Sequence, residues 1–195
     1  NTAILAPRFF FFFFAGGAAL LFIVFTLVVH FTVLRIRPTV FRMLQQLAAV
    51  FLPINMFLFG SEIYKEFYTD SIHTASMSYL FFGIHGHGML QPYIWTSLAM
   101  SVFAIVVFLT PRLRQIQSLV LFASACAVIG IWIEKGMGLI IPGFIPTPLG
   151  DLVEYTPSLV EFFVCLGISS FGAFLFTLLT KIAVAIQVVV LREGA

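Results

Sequence analysis

Few residues in this chain have the means to do chemistry, and they sit beside long apolar runs. Arg8 opens one such run. Glu134 and Lys135 close another, and Glu161 lies between Val160 and Phe162 at the start of a third. A charge at the edge of hydrocarbon is costly unless it is paired or hydrated, so these groups are functional candidates by default. Charge pairing with snorkelling at the interface is the equal structural alternative. Glu161 is the hardest of them to assign to snorkelling, because a carboxylate on a short stem cannot reach far.

The four histidines, at positions 30, 73, 85 and 87, offer less. Haem b in a membrane bundle takes two histidines on facing helices at matched depth. Only His30 lies in an apolar segment, so it reads as a packing residue. His85 and His87 share a face only if the backbone there is extended. A metal site would need further ligands, and a structural loop role is the reading. Cys126 and Cys165 both fall in apolar runs and read as small packing residues, not a disulfide or metal pair. The sequence has no phosphate loop, dinucleotide fingerprint, Cys-x-x-Cys or nucleophile elbow.

The elements that position these groups follow from composition. Of 195 residues, 61% are hydrophobic and 9% charged. An average soluble protein carries roughly 25% charged residues, so this chain cannot coat a water-facing surface. The apolar residues come in blocks of spanning length, and about 20 are needed to cross hydrocarbon as a helix. Five blocks are expected to span, near 9–34, 43–63, 93–109, 118–133 and 159–190. The expected fold is an all-α, polytopic transmembrane helix bundle forming a single transmembrane domain over 1–195. The chain opens on Asn1, and Arg8 leads directly into a spanning run with no small-residue cleavage site. It is expected to be the C-terminal part of something longer.

Two of the four connections are short and carry Pro38 and Pro111, which interrupt helices. The apolar stretch Ser78–Gly88 is too short to span and reads as an interfacial helix or re-entrant piece. The segment Gly136–Gly150 is apolar yet rich in proline and glycine, so no regular helix runs through it. Irregular backbone at membrane depth must be buried in protein or line a cavity, and a rigid lid over the bundle end is expected. Gly167, Ser169, Ser170, Gly172 and Ala173 form a small-residue patch suited to close helix packing. The six phenylalanines Phe9–Phe14 have no reading beyond lipid exposure.

Alternating helices put Arg35, Arg37, Arg42, Arg112, Arg114, Lys181 and Arg192 on one side, leaving Arg8, Lys65 and Lys135 on the other. The positive-inside rule then places the N-terminus outside and the C-terminus inside. Most acids fall on the outer side, with Tyr64, Tyr68, Tyr79, Tyr93, Tyr155, Trp95 and Trp132. Such a lopsided aromatic belt points to a docking surface, with Asp151, Glu154 and Tyr155 as its candidates.

The runs Ile133-Glu134-Lys135-Gly136-Met137-Gly138, Pro142-Gly143-Phe144-Ile145-Pro146-Thr147-Pro148-Leu149-Gly150 and Glu154-Tyr155-Thr156-Pro157-Ser158 carry a resemblance, as does the opening Ile4-Leu5-Ala6-Pro7-Arg8-Phe9. They resemble the NrfD/PsrC family of polysulfide reductase membrane subunits, most of all its DsrP/HmcC-type members from sulfate-reducer redox complexes. The resemblance implies a subunit without haem or metal of its own, in the cell (inner) membrane. It implies exchange of electrons between menaquinone or another quinone and an extracytoplasmic iron–sulfur subunit, in anaerobic respiration tied to sulfur metabolism. Cytochrome subunits and the lipid bilayer are the further partners, and nucleic acid is not. Members have roughly twice this many helices, which makes this chain a second half. Quinone chemistry needs proton donors or acceptors beside an apolar slot, and Arg8, His85, Glu134 and Glu161 are the candidates. Two alternatives stay open: a membrane anchor without cofactor for redox subunits, and a transporter or proton-conducting subunit.

Overall fold

The computed structural model describes residues 5–32, 36–69, 72–83, 88–136, 138 and 158–193. Among these residues every regular element is helical. In chain order they are α1 (Leu5–Phe31), α2 (Pro38–Thr69), α3 (Ile72–Phe82), α4 (Gln91–Leu109), a 3-10 turn (Leu113–Gln115), α5 (Gln117–Lys135) and α6 (Leu159–Glu193). Five of them, α1, α2, α4, α5 and α6, are long and apolar enough to cross a membrane. The protein is a polytopic membrane helix bundle. The chain divides into two compact units, Asn1–Glu154 and Tyr155–Ala195.

In the first unit α1 packs on α2, α2 on α4, α4 on α5 and α5 on α1, so four spanning helices close a ring. Small residues permit this. Ala15, Ala18 and Ala19 of α1, Ala48 and Ala49 of α2, Ala104 of α4 and Ala123 and Ala127 of α5 share one buried cluster. Lipid tails are as apolar as leucine, so close van der Waals contact between backbones drives association, not hydrophobic burial. α4 and α5 approach closely at Gly130. A Cβ there would lie 3.0 Å from Ser101 Oγ and 3.2 Å from the Ser97 carbonyl oxygen. The Ser97 hydroxyl uses that proximity and donates to the Gly130 carbonyl at 2.7 Å.

Helix ends depart from the apolar boundaries for physical reasons. α2 has 32 residues and runs six past Ile63. At 1.5 Å per residue it is about 48 Å long, more than the roughly 30 Å of hydrocarbon. Its last two turns carry Tyr64, Lys65 and Tyr68, which suit the headgroup layer. Pro38 occupies the first position of α2, where its missing N–H would have no intrahelical acceptor. Ser78–Phe82 of the short apolar stretch form the end of α3, whose 11 residues reach about half the hydrocarbon thickness, and residues 84–87 of the stretch lie outside the described residues. α3 stops at Gly83, whose φ of 75° only glycine adopts freely. Tyr79, Leu80 and Phe81 of α3 pack with Phe59 of α2 and with Leu90 and Ile94 at the head of α4. Trp95 Nε1 donates to the Phe81 carbonyl at 3.3 Å and ties α4 to α3.

The run Phe9–Phe14 does more than face lipid. Six successive helical residues sweep the whole circumference. Phe10 and Phe13 are exposed. Phe11 and Phe14 meet Phe51 of α2, at 5.8 and 5.0 Å between centroids. Phe9 and Phe12 sit beside Lys135.

The second unit holds α6, with 35 residues and about 52 Å long. Its start is a capping box. The Ser158 N–H donates to Glu161 Oε2 at 2.7 Å, and the Glu161 N–H donates to Ser158 Oγ at 3.3 Å.

Candidate functional site

The buried charges of the first unit gather at one end of the ring. Arg8 stands in the opening turns of α1 and is 2% exposed. Its Nη2 donates to Glu134 Oε1 at 2.7 Å, and its Nη1 pairs with Glu62 Oε2. Lys135 Nζ donates to the same Glu134 oxygen at 2.8 Å. Two cations from α1 and α5 thus meet two carboxylates from α2 and α5, and all four side chains are buried. Their formal charges cancel. That balance is what makes the cluster tolerable, since an unpaired ion in hydrocarbon costs several kcal/mol.

Aromatic rings wall the cluster. The Arg8 guanidinium lies 4.7 Å from the Phe59 ring centroid. Lys135 Nζ lies 5.8 and 5.7 Å from the rings of Phe9 and Phe12. Ring faces carry partial negative charge and hold cations without supplying a proton acceptor. Nη1 has its ion pair with Glu62, whereas Arg8 Nε is buried and has no hydrogen-bond acceptor among the described residues.

The sequence of α2 explains why its acids join this group. Leu44, Ala48, Leu52, Asn55, Phe59, Glu62 and Glu66 recur at three- and four-residue steps, which is one helix face, and all are buried. The upper half of that face is polar. Lys65 Nζ lies 3.7 Å from Glu66 Oε1. Asn55 lies two residues past Pro53, within α2, and its Oδ1 has no partner among the described residues.

Of the sequence candidates, Arg8 and Glu134 are brought into direct contact. Glu161 belongs to the second unit and caps the start of α6 through Ser158. His85, Asp151, Glu154 and Tyr155 lie outside the described residues, as does the proline-rich segment apart from Gly136 and Gly138. Glu62, which the sequence reading did not single out, belongs to the cluster, as does Lys135, which it counted among the costly charges but not among the proton-transfer candidates. The signal for Glu62 was its phase on α2 with Phe59 and Glu66. For Lys135 it was adjacency to Glu134 at a helix end.

The opposite end of the ring carries the arginine-bearing turns. Arg42 of α2 and Arg114 of the 3-10 turn line one cavity there. Within the first unit, the short basic turns therefore share one end, and Arg8, Glu62, Glu134 and Lys135 occupy the other. No family model, curated protein or solved structure matches the chain.

Proposed function

We propose that this chain is an integral membrane subunit of a respiratory redox complex, exchanging electrons between the membrane quinone pool and an extracytoplasmic iron–sulfur subunit. The observation that supports the reading is the buried Nε–H of Arg8, which has no acceptor among the described residues and lies beside two buried carboxylates. A quinone offers what that donor lacks, a carbonyl oxygen. When a quinol is oxidised, each hydroxyl releases its proton and the two electrons leave to the partner's cluster. Glu134 and Glu62 are the groups placed to take or return those protons. Arg8 and Lys135 hold the carboxylates in place and balance their charge. The basic turns lie in the cytoplasm in this reading, and the ionic end faces the extracytoplasmic partner.

A second reading rests on the charge balance itself. A cluster whose cations and carboxylates cancel suits a membrane anchor that holds redox subunits and binds no quinone. One experiment separates the two. In the assembled complex, Glu134→Gln is expected to lower quinol-linked turnover about 100-fold while the iron–sulfur subunit stays bound. Full turnover in an assembled E134Q complex favours the anchor.

A further inference from the structure

The cavity at the arginine-bearing end is built from two turns far apart in the chain. It measures about 610 Å³ and opens between the start of α2 and the turn leading into α5. Arg42 of α2 and Arg114 of the 3-10 turn both line it, together with Gln45 and Gln117, and Phe22 and Phe41 are among its apolar walls. None of the lining residues is acidic. Among the described residues neither arginine has a carboxylate partner. Carboxamide N–H groups and guanidinium forks are donors that match phosphate oxygens, and arginine does so with two parallel bonds.

The helix starts add to the field. Pro38, on the cavity wall, begins α2, and Gln117, also on the wall, begins α5. The residue before Gln117 is Ile116, and no side chain caps the first N–H groups of α5. Uncapped helix starts present partial positive charge. The apolar part then decides what kind of anion fits. Phe22 is 2% exposed and Phe41 stacks edge-on against it at 5.6 Å, so one wall is aromatic hydrocarbon. A free inorganic anion gains nothing from such a wall. A headgroup with a glycerol backbone and acyl chains does, at the end of a ring of membrane-spanning helices.

The geometry points to a binding site for the phosphate headgroup of an anionic glycerophospholipid, held by Arg42 and Arg114. The ligand neutralises two cations that no carboxylate among the described residues neutralises, and it links the start of α2 to the α4–α5 turn.

The test uses the full chain, in its complex where one is isolated, reconstituted in nanodiscs. Nanodiscs of phosphatidylcholine alone are compared with ones containing phosphatidylglycerol. Retained lipid is counted by native mass spectrometry after transfer to detergent. Phosphatidylglycerol is expected to stay bound, phosphatidylcholine to wash away, and R42Q/R114Q to reduce retention at least tenfold. Millimolar inorganic phosphate, added in a separate arm, is expected neither to displace the lipid nor to stabilise the protein. Equal retention by the double variant, equal retention of phosphatidylcholine, or displacement by inorganic phosphate overturns the proposal. Should R42Q/R114Q not fold, Gln45→Glu adds a negative charge to the lining and removes no basic group. Unchanged retention in that variant overturns the proposal equally.

Discussion

Arg8 and Glu134 are 126 residues apart in the chain and 2.7 Å apart in the fold. The contact joins the first turns of α1 to the last turn of α5 and closes the helix ring at one end. Each residue alone would be an expensive intrusion into the bundle, and together with Glu62 and Lys135 they form a neutral set. What the cluster does in assembly and what it does with a ligand are separable by mutation.

Truncating one member of the set should be severe. Glu134→Ala leaves two cations facing one carboxylate and is expected to cost about 3–5 kcal/mol of stability. Adding Lys135→Met restores the balance, because Arg8 and Glu62 remain as a pair. The double variant is expected to unfold less readily than E134A alone, which denaturation of both variants in detergent would measure. Equal or additive losses would mean that charge balance does not govern the site.

Two glycines should differ in tolerance, Gly130 between α4 and α5 and Gly60 on α2. Gly130→Val drives a side chain into the Ser97 carbonyl oxygen, which cannot move aside, and is expected to cost about 1–3 kcal/mol. Gly60→Ala, on α2, meets open space and is expected to be neutral or to stabilise by about 0.5–1 kcal/mol. Thermal unfolding of the two variants checks the contrast.

The start of α6 gives a third expectation. Ser158→Ala removes one half of the capping box and is expected to cost about 1 kcal/mol locally. Glutamine serves the box as well as glutamate, so Glu161→Gln should leave the helix start intact. Hydrogen exchange at residues 159–162 reads the first effect. Any loss of turnover in E161Q would then report a role for the charge and not for the cap.

The proposed sidedness rests on the shared location of the basic turns and the positive-inside rule. Single cysteines replacing Arg37 and Arg112 should react with an impermeant thiol reagent only from the cytoplasmic side of oriented vesicles. A cysteine replacing Lys65 should react only from the opposite side. Labelling of the Arg37 and Lys65 positions from the same side would contradict the crossing of α2, and labelling with the sides exchanged would reverse the proposed orientation.

The spanning helices were legible because block hydrophobicity over about 20 residues has one structural solution in lipid. Their ends were less so. Glu62, Lys65 and Glu66 stop an apolar count, yet α2 continues to Thr69, because helical hydrogen bonding does not depend on side-chain polarity. Likewise α1 starts before Arg8, whose charge is answered by residues from other helices. The cost of Arg8 and Glu134 was readable from one sequence, whereas their mutual contact depends on the α1–α5 register, which no local pattern encodes. Glu161 shows the reverse. Its apolar neighbours marked it as a charge at the edge of hydrocarbon, while its bonding to Ser158, three positions earlier, follows the capping-box spacing.

The most direct test of the proposed function is binding of a quinone analogue to the purified complex, followed as protection against thermal unfolding. Binding is expected, with at least tenfold weakening in Arg8→Lys, which keeps the charge and loses the Nε donor, and no change in Glu161→Gln. An analogue that fails to bind the wild-type complex, or that binds R8K equally well, would contradict a quinone site at Arg8.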